Sequence, residues 1–297
     1  MNKPAITRIL IPMDFSETGH LALEHGVFMA SLFKAELYLL HVMELFEYPY
    51  TLYDPLLVSP NYEDEFQKNI NKSMEEEAQK IRTQHGLNVI SIVTRGRVVT
   101  EIVETAKNRE VDLIVMGTHG AKGFEEFFIG SNAHRTVTVS PCPVITIQTK
   151  TQKKGFTNII APFDNTLHSR QKVDYLILLA KHYGAFVHIL GLMTEDDDEN
   201  KFMLKIESVE DALKHAKIKY EQKIVRGTNL AIESMNYSNQ VKGDLIITMT
   251  DHESRLNGIF LGSFAKQIIN HSKIPVMSIR PIEGHYESMP VGSNPYN

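Results

Sequence analysis

The second half of this sequence repeats the first half as a series of short motifs in the same order. Ile-Leu-Ile-Pro-Met-Asp at 9–14 returns as Ile-Ile-Ala-Pro-Phe-Asp at 159–164, which is 150 positions later. A tandem duplication in a chain of 297 residues predicts two domains, at 1–150 and 151–297, with a tail from about 282. The further matches are 36–42 with 186–192, Arg95-Gly96 with Arg226-Gly227, 112–115 with 244–247, 129–131 with 261–263, and 143–147 with 275–279.

Within each copy, short apolar runs alternate with segments of helical spacing. This alternation predicts right-handed crossovers and a parallel sheet. We therefore predict an α/β fold of two tandem Rossmann-like domains, each a five-stranded parallel sheet with helices on both faces. In the first copy the predicted strands are 8–14, 36–42, 89–94, 111–116 and 143–148, and the predicted helices are 15–34, 63–85, 99–108 and 131–139.

A glycine-rich stretch follows the fourth predicted strand. The apolar run 113–116 stops at Gly117, Gly120 and Gly123 come next, and Gly130-Ser131 opens a helix. Glycines allow backbone N–H groups to approach a phosphate, and a helix N-terminus adds unpaired donors, so the pattern indicates nucleotide binding. Taken alone, glycines after a strand are more often turn residues than phosphate ligands, and neither the Walker sequence nor the dinucleotide fingerprint is present.

Composition excludes several classes of function. The formal charge of −5 gives no basic field for a nucleic acid partner. Cys142 is the single cysteine, and no apolar run approaches a membrane span or a signal peptide, so we expect a reducing, cytoplasmic location. We assign no catalytic residue and no metal ligand, because neither a nucleophile elbow nor metal-ligand spacing occurs.

The spacing G-x2-G-x9-G-[ST] from Gly117 to Ser131 occurs together with Ile-Pro-x-Asp at the first strand and Cys-Pro-Val before the last strand. This combination resembles the universal stress protein family in its two-domain form, over about residues 5–148 and 156–281. The resemblance implies the adenine nucleotide alpha hydrolase-like fold and a protein of the stress response. It also implies that the last strands of the two domains, 143–148 and 275–280, pair as an intrachain pseudo-dimer, while homodimerisation stays open.

The resemblance also implies a binding site for ATP. Asp14 and Val42 would hold the adenine, and the glycine loop with the helix start would hold the ribose and phosphates. Alternatives remain: Asp14 could cap the following helix, Val42 could be core alone, and Ser131 would be an N-cap in either case. The full predicted cofactor-binding set is Pro12, Met13, Asp14, Val42, Gly117, Thr118, His119, Gly120, Gly130, Ser131 and Asn132.

Charge and side-chain size qualify this interpretation. Glu125 and Glu126 in the loop would repel a triphosphate unless Mg²⁺ intervenes or they point outward. In the second half Met249 and His252 replace Gly117 and Gly120, so we expect no equivalent ATP site there. The leading hypothesis is a regulatory or protective ATP-binding protein, and the alternatives are a slow ATP hydrolase or a nucleotide-free interaction scaffold.

Overall fold

The structure is a computed structural model, and it describes residues 4–44, 62–118, 130–149, 151, 153–250 and 262–282. These residues form ten strands and eight α-helices. They make two compact units, one from residues within 1–156 and 269–277, the other from residues within 157–268 and 278–297. None of the helices in the described ranges is long and apolar enough to cross a membrane.

The first half confirms the predicted alternation of strand and helix. Its sheet has the order β3-β2-β1-β4-β5, and every pairing in it is parallel. The elements are β1 (Arg8–Pro12), α1 (Glu17–Phe33), β2 (Glu36–Glu44), α2 (Tyr62–His85), β3 (Val89–Gly96), α3 (Val98–Asn108), β4 (Leu113–Gly117), α4 (Ser131–Val139) and β5 (Val144–Ile147).

The second half follows the same plan. Strands β9, β6, β7 and β8 are parallel neighbours in that order, and the Thr250 N–H donates to the Ile279 carbonyl oxygen at 2.8 Å. The elements are β6 (Asn158–Phe163), a 3₁₀ turn (Leu167–Arg170), α5 (Val173–Tyr183), β7 (Phe186–Met193), α6 (Glu199–His215), β8 (Tyr220–Arg226), α7 (Leu230–Gln240), β9 (Leu245–Met249), α8 (Ser263–His271) and β10 (Val276–Ile279).

The inner strands are buried along most of their length, as expected for parallel strands covered by helices on both faces. Residues 9–11 and 113–115 are fully buried in the first half, as are 159–161 and 245–247 in the second. The α/β fold class read from the apolar runs is therefore confirmed.

One matched motif of the repeat has a structural role in both halves. Asp112 Oδ2 accepts hydrogen bonds from the backbone N–H groups of Thr7 and Arg8, at 2.7 and 3.0 Å. Asp244 accepts from the backbone N–H groups of Thr157 and Asn158 in the same way. Each aspartate holds the start of the first strand of its domain beside the start of the fourth strand. This motif match therefore reflects folding and not ligand binding.

Candidate functional site

The order of the first sheet places a crevice between two particular strands. The chain passes from β1 to β2 on one side, and it later returns to β4 on the other side of β1. Open α/β sheets bind ligands at the carboxyl ends of the strands that flank such a reversal. Asp14 lies two residues beyond the end of β1, and Gly117 is the last residue of β4.

Asp14 is exposed and is held by the residue that starts the next helix. Its Oδ1 atom accepts from the Ser16 backbone N–H at 3.0 Å and from the Ser16 hydroxyl at 2.6 Å. Ser16 is the N-cap of α1, because its side chain accepts from the Gly19 N–H at 3.0 Å. The alternative that Asp14 caps this helix is therefore wrong: Asp14 orients the cap and keeps Oδ2 directed away from these bonds.

Gly19 allows the Asp14 carboxylate to lie close to α1. A Cβ atom at residue 19 would lie 2.5 Å from Asp14 Oδ1, far inside contact distance. Any larger side chain would displace the carboxylate or the first turn of the helix. The position of Asp14 thus depends on a glycine outside the predicted set.

The ends of β1 and β2 are joined by a histidine. His41 Nδ1 donates to the Met13 carbonyl oxygen at 2.8 Å, and its ring lies 5.2 Å from that of Phe15. Met13 is buried, and Val42 is half-buried beside Thr94 of β3. We expected Val42 to end its strand, but β2 continues to Glu44, so Val42 lies within the ladder.

Gly117 is required by packing. A Cβ atom there would lie 2.9 Å from the carbonyl carbon of Thr18 in the first turn of α1. Its φ angle is not in the left-handed region, so conformational freedom is not the reason for glycine at this position. The carboxyl end of β4 therefore lies directly against the helix that begins beside Asp14.

The two ends of the glycine loop meet at one point. The Gly130 N–H donates to the Thr118 carbonyl oxygen at 2.5 Å, and the Thr118 N–H donates to Ile147 at 3.0 Å. Gly130 is the N-cap of α4, and no side chain caps this helix. The expectation that Ser131 is the N-cap is therefore wrong: Ser131 is the first helical residue, and both Ser131 and Asn132 are exposed.

The remaining predicted residues, His119 and Gly120, lie outside the described residues, as do Glu125 and Glu126. In the ranges that the structure describes, no group of three His, Cys, Asp or Glu side chains could hold a metal ion. The Cys142 thiol is half-buried, and desolvation raises its pKa to about 12. The residue thus holds a protonated thiol at neutral pH.

A family model described as the universal stress protein family matches residues 5–148 and 155–280. The chain belongs to the universal stress protein family. The two matches cover the two copies of the internal repeat, so this is a tandem universal stress protein, as the motif spacing predicted.

Proteins of similar sequence or structure support this family assignment. Universal stress protein MJ0531 of Methanocaldococcus jannaschii is 32% identical over 143 residues, covering 48% of this chain and 81% of the relative. Universal stress protein YxiE of Bacillus subtilis is 30% identical over 145 residues, covering 48% and 98%. A universal stress protein crystal structure from Archaeoglobus fulgidus covers 93% of this chain and 97% of its own, with a TM-score of 0.74 and 22% identity, which supports the fold alone.

The second domain of this universal stress protein keeps the aspartate but closes the space around it. Asp164 Oδ1 accepts from the Thr166 N–H and hydroxyl at 3.1 and 2.6 Å, as Asp14 does from Ser16. Lys172 stands 150 positions after Ala22 and is only 2% exposed. Its ammonium donates to Ser169 Oγ at 3.2 Å and lies 4.2 Å from the Phe163 ring centroid.

Little room remains in this second site. The cavity lined by Asp164, Ser169, Lys172 and Met249 measures about 10 Å³, enough for about one water molecule. Met249 was expected to interfere with a ligand. Lys172 was not expected at all, because lysine is rarely buried and a single helical position carries no signal of its direction.

Proposed function

We propose that the first domain, residues 1–150, binds ATP or a related adenine nucleotide, and that binding there serves a regulatory or protective role in the stress response. The observation that carries the proposal is the hydrogen bond from the Gly130 N–H to the Thr118 carbonyl oxygen, which brings the end of β4 beside the start of α4, where no side-chain cap is found among the described residues. Such a start presents unpaired N–H groups and a partial positive charge, which suit a phosphate.

The aspartate at the end of β1 suits the base. Within the described part of the chain, both donors to Asp14 use Oδ1. Oδ2 is then available to accept a hydrogen bond from the exocyclic amine of adenine or from a ribose hydroxyl. Pro12 and Met13 lie at the end of β1, Val42 lies two residues before the end of β2, and the three would form the apolar side of the base site.

The phosphates would lie at the other side of the crevice. Ser131 and Asn132 supply N–H groups and exposed polar side chains at the start of α4, Gly130 gives the ligand close access to the backbone, and Gly117 and Thr118 lead into the loop. The assignments of His119 and Gly120 stay predictions. When bound, Mg²⁺ would neutralise part of the triphosphate charge. It would thereby reduce the repulsion between the triphosphate and the carboxylates of Glu125 and Glu126.

The duplication supplies a matched test of this proposal. Asp14→Asn and Asp164→Asn change equivalent carboxylates that make the same pair of hydrogen bonds to a following hydroxyl residue. We expect Asp14→Asn to weaken ATP binding at least about tenfold, because an acceptor for the base is lost. Asp164→Asn should leave the affinity unchanged.

Isothermal titration with ATP and Mg²⁺ measures both variants against the wild type. Equal affinities in all three proteins, or no binding to the wild type, would contradict the assignment of the site. The predicted pairing of the last strands and the cytoplasmic location stay predictions that this experiment does not address.

A further inference from the structure

Phe15 has a backbone conformation that the shared fold does not require. Its φ angle is +60°, in the left-handed region that side chains with a Cβ atom rarely adopt. Asn165 is the equivalent residue 150 positions later, and its φ angle is not positive. Asn tolerates this region far better than Phe. The left-handed conformation is nevertheless found in the first half, at the phenylalanine.

The other left-handed turns at non-glycine residues do recur in both halves of the described chain. Lys34 and Gly184 are the C-caps of α1 and α5, with φ angles of 55° and 62°. Glu110 and Lys242, 132 positions apart, have φ angles of 49° and 53°. These turns belong to the common architecture of the repeat, whereas the one at Phe15 is specific to the first domain.

Burial does not explain the aromatic side chain either. Phe15 is 36% exposed, so a large part of an apolar ring remains open to water. A strained backbone at a residue with an exposed ring is unfavourable on both counts. Such a combination, next to Asp14, points to a contact that is made only when a ligand is present.

The Phe15 ring lies beside the strand ends at which the base is proposed to bind. It is tilted by 44° against the His41 ring at 5.2 Å, and His41 is fixed by its hydrogen bond to the Met13 carbonyl oxygen. His41 precedes Val42 along β2. The ring pair of Phe15 and His41 therefore joins the residue that follows Asp14 to the residue that precedes Val42, and these two are assigned to the adenine.

We propose that Phe15 is a stacking wall for the nucleobase, and that it determines the preference of the first domain for a nucleotide over a phosphate alone. Aromatic side chains bind bases through their faces, with a contribution that the hydrogen bonds of Asp14 do not supply. This inference rests on the proposed function, because it names a further contact of the same ligand.

The left-handed conformation provides a clean variant. Phe15→Gly removes the ring and also relieves the backbone, so the relief of strain offsets part of the packing lost against His41 and the variant is expected to fold. Phe15→Tyr keeps an aromatic face. Lys34→Gly relieves the same kind of strain at a turn whose counterpart, Gly184, is already glycine, and it serves as the matched control.

Titration with ATP and Mg²⁺, together with thermal unfolding, distinguishes the outcomes. We expect Phe15→Gly to weaken ATP binding about tenfold while still unfolding in one cooperative transition, and Phe15→Tyr and Lys34→Gly to bind within about threefold of the wild type. If the wild type binds ATP and Phe15→Gly binds equally well, the stacking role is overturned and the proposed function stands. Equal weakening in Phe15→Tyr would also overturn it. A wild type that binds no adenine nucleotide overturns both.

Discussion

Gly117 at the end of β4 lies against the backbone of Thr18, so closely that a Cβ atom would lie 2.9 Å from its carbonyl carbon. A glycine that the sequence associates with phosphate binding is thus needed for the helix to pack on the sheet. Folding and ligand binding share this position, and substitutions must be read with both in mind.

We predict that Gly117→Ala destabilises the protein by about 1–3 kcal/mol whether or not nucleotide is present, since backbone atoms cannot move aside cheaply. Gly227→Ala is the matched control, because a Cβ atom there meets nothing within 4 Å and its φ angle is not left-handed. Urea denaturation measures both free energies of unfolding. Equal free energies of unfolding for the two variants would contradict the close approach of Gly117 to the Thr18 backbone.

Gly19→Ala should separate binding from stability. The new Cβ atom would lie 2.5 Å from Asp14 Oδ1 and would displace the carboxylate. Alanine favours the helix by about 1 kcal/mol, which offsets the loss of a hydrogen bond of about the same size. We expect a free energy of unfolding within about 1 kcal/mol of the wild type and an ATP affinity about tenfold weaker. An unchanged affinity would mean that the position of Asp14 does not matter to the ligand.

Two serines near helix starts should differ in their contribution to stability. Ser16 caps α1 with its side chain, whereas Ser131 is the first helical residue of α4 and caps nothing. Ser16→Ala should cost about 1 kcal/mol of unfolding free energy, and Ser131→Ala less than about 0.5 kcal/mol. Thermal or urea denaturation of the pair checks this without ligand. If Ser131→Ala lost more unfolding free energy than Ser16→Ala, the result would indicate that Ser131 is the N-cap of α4.

His25 should make stability depend on pH near neutrality. Burial lowers the pKa of this histidine, while a hydrogen bond with the backbone of Thr151 opposes the change. Because the folded pKa lies below the unfolded value of about 6.5, the stability contributed by neutral His25 is present above that pH and is lost as the pH falls. Its loss cannot exceed about 1.4 kcal/mol per pH unit.

Urea denaturation at pH 7.5, 6.5 and 5.5 tests this expectation, with His25→Gln as the comparison. The variant should lose less stability than the wild type between pH 6.5 and 5.5. Parallel pH dependences for the two proteins would show that His25 is not responsible. Because His25 lies in α1 and not at the strand ends, the result does not depend on any ligand.

The fold could be predicted from the sequence because parallel strands between helices read as apolar runs, and the repeat supplied each run twice. The helix caps could not be predicted with the same certainty. In Asp14-Phe15-Ser16 either polar residue could cap α1, and the left-handed conformation of Phe15, which no local pattern encodes, leaves Ser16 as the N-cap.

The site was predictable only where motif spacing carried information. Asp14, Gly117, Gly130 and Ser131 were found through spacing, and the structure places all four at the carboxyl edge of the first sheet. Gly19, His41 and Lys172 were missed, because each acts through a contact that exists only once a strand end and the following helix or neighbouring strand have taken their folded positions. A glycine beside a carboxylate or a lysine inside a cavity is visible only after the chain has folded.

The number of ATP molecules bound per chain tests the central claim most directly. Equilibrium dialysis of the full chain against ATP and Mg²⁺ should give one site, because Lys172 and Met249 occupy space in the second domain where the first domain has Ala22 and Gly117. Two equivalent sites, or none at saturating ATP, would contradict this account.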